Sequence, residues 1–326
     1  MIRRRSILVS LAIAGLVACA PSARAQSYPT KSVKIIVPLA AGGLADMLAR
    51  LLAQHMSETT KQNVVVENRT GGAGAIGADA AAKSPPNGYT LFLGLHATNA
   101  ILPYLNAKLP YDPAADFVPI IHIATFPNLL VVHASVPANS VSGLIAYAKA
   151  NPGRLTYASQ GNGSSGHMAG EQFKQLAGLD IAHVPYRGAA PAVQDLVAGQ
   201  VHMMFDTVTL QAPQLAAGKT RALAITATER VSAVPDVPTT VEAGLPDMQG
   251  GAWFGVFAPT GTPPEIVAWL NQETKKAFAA PEIRQRLAPQ GTLLPLGSPA
   301  EFAAFIVTER QRWSAVIRKA GIRLEQ

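Results

Sequence analysis

The chain has 326 residues, of which 48% are hydrophobic and 14% are charged. This composition provides enough apolar surface for a large core and excludes intrinsic disorder over most of the chain, while the length predicts about two domains. The formal net charge is +7, and no basic run with interleaved aromatic residues indicates a nucleic-acid partner.

The first 25 residues have the features of an export signal. Three arginines, Arg3 to Arg5, precede an apolar run from Ile7 to Ala18, and Ala23-Arg24-Ala25 provides a small-residue cleavage pattern. Cleavage there removes four of the 27 basic residues and no acidic one, which leaves 23 basic against 20 acidic side chains. We therefore expect a weakly basic, periplasmic protein that begins at Gln26.

The export route has alternatives. Leu16-Val17-Ala18-Cys19 also fits a lipoprotein cleavage pattern, in which Cys19 would be lipidated and anchor the protein to a membrane. The consecutive arginines weakly resemble a twin-arginine signal. Cleavage after Ala25 is favoured, and it removes the only cysteine, so that neither disulfides nor cysteine-bound metals are expected in the mature protein.

Strand-like and helix-like segments alternate along the first part of the chain. The pattern predicts strands at Val33 to Val37, Val64 to Glu67 and Tyr89 to Leu93, and helices at Ala45 to Met56 and Ile76 to Ala82. Strand, helix and strand at this spacing predict a parallel α/β sheet. A long apolar stretch from Phe117 to His133 follows, interrupted by Pro127.

The same alternation then restarts. It predicts strands at Leu155 to Ser159, Ile181 to Pro185, Val201 to Phe205, Arg221 to Thr226 and Trp253 to Ala258, and helices at His167 to Ala177, Ala190 to Ala198, Glu265 to Ala279 and Ala300 to Ala320. Ser298 is the expected N-cap of the last helix. Because the α/β pattern occurs twice, we expect two similar lobes joined by long connecting strands.

A G-x-G-x-x-G pattern at Gly161, Gly163 and Gly166 raises the question of a dinucleotide cofactor. The same spacing recurs at Gly72 to Gly77, so it arises easily in a chain with 27 glycines. The next strand ends in His183-Val184-Pro185-Tyr186-Arg187-Gly188, without the acidic residue that binds a ribose. No cofactor is therefore predicted, and no metal or hydrolase motif is present.

Two strand-loop-helix junctions are better candidates for binding a small anion. They are Pro38 to Asp46 and Ser159 to His167, where glycines allow close approach to the unpaired N–H groups of a helix N-terminus. Each residue also has an ordinary structural interpretation. Asp46 could interact with its own helix dipole, Ser164 could cap a helix, and Asp206 could cap the element after its strand.

Short motifs in a fixed order resemble the Bug-type extracytoplasmic solute receptors of tripartite tricarboxylate transporters, over essentially the whole mature chain. These motifs are Tyr28-Pro29, Pro38 with Ala41-Gly42-Gly43 and Asp46, Glu67-Asn68-Arg69 with Gly71 to Gly74, Pro86-Asn87-Gly88-Tyr89, Leu109-Pro110-Tyr111-Asp112, Tyr157-Ala158-Ser159 with Gly161-Asn162-Gly163 and His167, His183 to Gly188, Phe205-Asp206, Pro235 to Thr239, and Glu242-Ala243-Gly244.

The resemblance implies an α/β protein of the two-lobed type II periplasmic binding protein (Venus-flytrap) fold, in which each lobe has a mixed, mainly parallel sheet flanked by helices. Residues 26–124 and 252–326 would form lobe 1, and residues 125–251 would form lobe 2. A monomer would capture a small carboxylate between the lobes and deliver it to a membrane permease. The alternatives are a sensory carboxylate receptor and, less favoured, an exported enzyme that uses His167 and Asp206.

The resemblance also implies the residues that contact the ligand, with His167 supporting the second loop and Asp206 at the wall of the cleft. They are Leu39, Ala40, Ala41, Gly42, Gly43, Asp46, Thr98, Ser159, Gly161, Asn162, Gly163, Ser164, Ser165, His167 and Asp206. Many relatives have an aromatic residue and a hydroxyl residue where this chain has Leu39 and Ala45. Leu39 and Leu44 therefore favour a ligand with hydrocarbon or aromatic character.

Overall fold

A computed structural model describes residues 28–323. The predicted signal peptide, its alternative lipidation site at Cys19 and the expected mature start at Gln26 lie outside the described residues. Within residues 28–323, no helix combines the length and the apolar character that are needed to cross a membrane.

Strands and helices alternate as the sequence predicts. The strands are β1 (Val33–Val37), β2 (Val64–Asn68), β3 (Thr90–Leu95), β4 (Phe117–His133), β5 (Thr156–Ser159), β6 (Ala182–Pro185), β7 (Met203–Thr207), β8 (Thr220–Ile225) and β9 (Gly251–Pro259). The helices are α1 (Leu44–Thr60), α2 (Ala75–Ala82), α3 (Leu102–Leu105), α4 (Val141–Ala150), α5 (Ser165–Ala177), α6 (Ala189–Val197), α7 (Val208–Ala216), α8 (Pro264–Ala279), α9 (Pro281–Leu287) and α10 (Pro299–Ala320). A π-helical segment, Ala97–Ile101, precedes α3.

The strands form a mixed sheet in the order β2-β1-β3-β9-β4-β7-β5-β6, with β8 paired to β4. The first sheet region contains β2, β1 and β3 in parallel, followed by antiparallel β9 and the N-terminal part of β4. The second sheet region contains β6, β5 and β7 in parallel, with the C-terminal part of β4 antiparallel to β7 and β8. Two α/β units of this kind confirm the predicted fold class.

One long strand joins the two regions where the sequence predicts an interruption. Strand β4 runs for 17 residues through Pro127. Up to Pro127 it pairs with β9, and from Asn128 onward it pairs with β7. A proline is tolerated there because the strand changes partners at this residue. Its missing N–H group therefore falls at the end of the pairing with β9 and before the pairing with β7 begins. The backbone N–H of Asn128 donates to the Thr226 hydroxyl at 2.8 Å.

Each sheet region is covered on both faces by helices. Helices α1 and α8 pack on one face of the first region, and α2, α3 and α10 pack on the other. In the second region, α4 and α5 cover one face and α6 and α7 cover the other. Burial of each large apolar side chain in these layers contributes about 1.5–3 kcal/mol, which fixes both sheets as rigid supports for the loops at their edges.

Four helices were not predicted from the sequence: α3, α4, α7 and α9. Helix α4 had a recognisable start signal in the sequence, because serine is a preferred N-cap residue and Ser140 precedes the helix. In the structure, the Ser140 hydroxyl accepts the backbone N–H of Gly143 at 3.0 Å. The predicted N-cap of α10 is confirmed. Ser298 accepts the N–H of Glu301 at 3.2 Å, and the Glu301 carboxylate accepts the N–H of Ser298 in return.

Candidate functional site

The two predicted loops lie on the wall of one cavity of about 580 Å³. The first loop comes from the first sheet region, and the second loop comes from the second region. The wall consists of Leu39, Gly42, Gly43, Leu44, Ala73, Leu95, His96, Ala97, Gln160, Asn162, Gly163, Ser164, Ser165, Ala189, Asp206, Thr207, Thr209 and Leu210. Its volume lies in the range of small-molecule sites.

The first loop is shaped by the carboxylate of Asp46. This side chain is 4% exposed, and its Oδ2 accepts the backbone N–H of Gly42 at 2.9 Å and the Nε–H of Arg50 at 2.8 Å. The hydrogen bond from Arg50 is the main reason why the pKa of Asp46 is lowered. From β2, Asn68 donates to the carbonyl of Leu39 at 3.0 Å. Asp46 therefore holds the loop from behind and does not line the cavity.

The second loop is held by two stacked histidines. His167 Nδ1 accepts the N–H of Gly163 at 3.1 Å, and the ring of His167 stacks on that of His183 with centroids 4.1 Å apart. His183 Nε2 in turn contacts the Ser159 hydroxyl at 2.7 Å. Burial lowers the pKa of His167 to about 4 and that of His183 to about 3, so both rings are neutral at pH 7.

The start of α5 completes the second loop. The Ser164 hydroxyl accepts the backbone N–H of His167 at 3.2 Å, which makes Ser164 the N-cap of the helix. Gly163 has a φ of 79°, a conformation that glycine adopts without strain. The loop therefore turns sharply, and the first N–H groups of α5 remain without partners in the helix.

Asp206 lies at the carboxyl end of β7, on the cavity wall. It is 1% exposed, and its two oxygens accept hydrogen bonds from Gln160 Nε2 and Gln211 Nε2, each at 2.9 Å. Burial raises the pKa of this carboxyl above its usual range. Asp206 does not cap the next helix, because the N-cap of α7 is Thr207.

Four helix N-termini contribute residues to this cavity. Helix α1 contributes Gly43 and Leu44, and α5 contributes Ser164 and Ser165. Helix α6 contributes Ala189, and α7 contributes its N-cap Thr207 with Thr209 and Leu210. No side chain caps α1, α6 or α7. Unpaired N–H groups carry positive partial charge, so these termini can bind anionic oxygens. Within the described part of the chain, the cavity wall includes neither lysine nor arginine.

The structure brings eight of the predicted site residues to the cavity wall: Leu39, Gly42, Gly43, Asn162, Gly163, Ser164, Ser165 and Asp206. The others lie behind or beside it: Ala40, Ala41, Asp46, Thr98, Ser159, Gly161 and His167. Thr98 is fully buried, and its hydroxyl contacts the carbonyl of Leu95 and Oδ1 of Asn99. Ligand contact by any of these residues stays a prediction.

Sequence analysis missed the contributions of α6 and α7 to the wall, and with them Ala189, Thr209 and Leu210. A signal for α6 was present, because Gly188 stands between a predicted strand and a predicted helix, as in the two loops that were identified. Helix α7 was not predicted, so its N-terminus could not be identified. His96 was missed because a single histidine after a strand carries no recognisable pattern.

Comparisons with known proteins agree with this architecture. Residues 48–322 match the model of the "Tripartite tricarboxylate transporter family receptor". The chain is 36% identical to Protein BugT of Bordetella pertussis over 97% of both chains.

Two solved structures are similar over nearly the whole fold. The structure of MatC (Rpa3494) from Rhodopseudomonas palustris with bound malate has a TM-score of 0.75 and 37% identity, covering 89% of this chain and 100% of that one. The structure of R. palustris Rpa4515 with adipate has a TM-score of 0.78 and 40% identity, covering 91% of this chain and 99% of that one. The chain belongs to the family of Bug-type periplasmic receptors of tripartite tricarboxylate transporters.

Proposed function

We propose that this protein is a periplasmic receptor that captures a small mono- or dicarboxylate and delivers it to the membrane permease of a tripartite tricarboxylate-type transporter. The observation that carries this proposal is the convergence of four helix N-termini on one cavity whose described wall has no cationic side chain. Such a wall suits a carboxylate, whose oxygens accept backbone N–H groups. Two similar proteins have structures with malate and adipate.

The proposed mechanism is closure of two lobes around the ligand. Lobe 1 would comprise residues 26–124 and 252–326, and lobe 2 would comprise residues 125–251. Because the ligand contacts loops from both lobes, it binds the closed state more tightly and shifts the population toward it. The closed monomer would then present to the permease a surface that the open state lacks.

We further propose that the receptor leaves its ligand unaltered. The enzymatic alternative requires His167 and Asp206 to exchange protons with the ligand. Instead, His167 accepts an N–H group of the second loop behind the wall, and both oxygens of Asp206 accept hydrogen bonds from glutamine side chains. These contacts support a structural role for both residues. Incubation of the protein with each bound acid, followed by mass spectrometry, should return the acid unchanged.

A thermal-shift screen of the mature protein against mono-, di- and aromatic carboxylates tests the receptor proposal. A ligand at 100 times its dissociation constant adds about 2.7 kcal/mol to the free energy of unfolding, which is easily measured as a higher melting temperature. The protein must first be unfolded, dialysed and refolded to remove any carried-over ligand. If no carboxylate then raises the melting temperature, the proposal is wrong.

A further inference from the structure

Three leucine side chains on the cavity wall are incompletely buried. Leu39 and Leu44 are partly buried and pack against the core of the first sheet region. Leu210, in α7, is 39% exposed. Isolated exposed leucines are ordinary, but three on the wall of one cavity concentrate apolar surface where a ligand would lie.

Several polar side chains of the wall already have partners within the protein. Gln160 Nε2 donates to the Asp206 carboxylate, whose other oxygen accepts from Gln211. The Ser164 hydroxyl caps α5, and the Ser165 hydroxyl contacts an amide side chain of β4 at 3.4 Å. The Asp206 carboxylate and the two serine hydroxyls are therefore engaged within the protein, whereas backbone N–H groups at the helix N-termini remain available for a carboxylate.

We propose that Leu39, Leu44 and Leu210 make the receptor select carboxylates with an unsubstituted hydrocarbon body over hydroxylated carboxylates of the same carbon skeleton. This inference rests on the proposed receptor function. When a ligand with a hydrocarbon body binds, its apolar surface and that of the leucines are both buried from water. Each buried methylene group of the ligand then raises the affinity about fourfold. Hydroxyl groups placed against these leucines would lose their bound water, and the leucines cannot replace those hydrogen bonds.

Matched pairs of acids test this selectivity by titration calorimetry on refolded, ligand-free protein. The pairs are adipate with galactarate, hexanoate with gluconate, and benzoate with trihydroxybenzoate, in which the carbon skeleton and the carboxylates are the same and only hydroxyl groups differ. In every pair that binds, the hydrocarbon acid should bind at least about tenfold more tightly.

The outcomes separate this inference from the receptor proposal. Equal or tighter binding of the hydroxylated acids would overturn the selectivity and leave the receptor function in place. Binding by none of the six acids would overturn the selectivity, whereas the receptor function fails only if the wider thermal-shift screen also finds no stabilising carboxylate.

A pair of variants tests the role of the leucine wall directly. Leu210→Asn should weaken the binding of the hydrocarbon acids about tenfold and change that of the hydroxylated acids little. Leu176→Asn is the matched control, because Leu176 is also helical, is 43% exposed and lies away from the cavity. Both unliganded variants should melt as the wild type does. An unchanged affinity in Leu210→Asn, or an equal loss for all acids, would contradict the assigned role.

Discussion

Three buried histidines predict that the folded protein loses stability in weakly acidic solution. His96, His122 and His167 are 7%, 6% and 3% exposed, and burial lowers the pKa of each to about 4. In the unfolded chain a histidine titrates near about 6.5. The unfolded chain therefore binds protons that the folded protein excludes, so the stability is complete above this pH and falls as the pH drops below it.

The size of the loss follows from the shifts. At about pH 5 each histidine lowers the free energy of unfolding by about 2 kcal/mol, since one pKa unit corresponds to about 1.4 kcal/mol. The three histidines together lower the free energy of unfolding by up to about 6 kcal/mol. For comparison, the whole free energy of unfolding of a typical protein is roughly 5–15 kcal/mol. Asp206 acts in the opposite direction, because burial raises its pKa. Asp46, whose pKa is lowered, loses its contribution only at lower pH.

Urea denaturation of the ligand-free protein between about pH 7.5 and pH 5 measures this dependence. We expect the slope of stability against pH to approach four protons, because His183, whose pKa is also lowered, contributes with the three buried histidines, and His122→Gln should lower the slope by about one quarter. The slope is the relevant quantity, because losing the contacts of His122 with Phe302 and Phe305 also lowers stability at neutral pH. A wild-type stability that does not change over this range would refute the reasoning.

Two further predictions concern the loops. Asp46→Ala removes the acceptor of the Gly42 N–H group, so it should lower the free energy of unfolding by about 1.5–3 kcal/mol and also weaken carboxylate binding in calorimetry. The control is Ser298→Ala, which removes the cap of α10 away from the cavity; it should lower the free energy of unfolding by about 1 kcal/mol without changing the affinity. Equal losses of affinity in the two variants would contradict a role of Asp46 in the loop. Gly163→Ala should lower stability by about 1–2 kcal/mol and weaken binding, because a φ of 79° strains alanine and its Cβ would lie 3.2 Å from Leu105 Cδ1. Urea denaturation and calorimetry measure both effects, and an affinity equal to that of the wild type would show that the shape of this loop is not needed.

The convergence of four helix N-termini has a topological cause. In both sheet regions, the strands β1, β5, β6 and β7 end at the edge where the following helices α1, α5, α6 and α7 begin. Parallel strands with short connections direct these ends to the same side of a sheet. Main-chain dipoles can therefore bind an anion without a buried cation, whose desolvation would be costly.

The sequence by itself determined the alternation of strands and helices, the two-lobed α/β class and the two glycine loops. These features depend on local periodicity, on glycine positions and on helix start signals, which a linear pattern contains. It also identified His167 as the residue that supports the second loop, and the hydrogen bond from Gly163 to His167 Nδ1 is consistent with that assignment.

Only the tertiary structure decided how these parts meet. That β4 continues through Pro127 depends on its change of partner from β9 to β7, which local sequence does not encode. The position of Leu210 on the cavity wall depends on the placement of α7 against residues far away in the chain. Contacts of this kind bring together loops separated by more than a hundred residues, so the cavity exists only after the two sheet regions have packed.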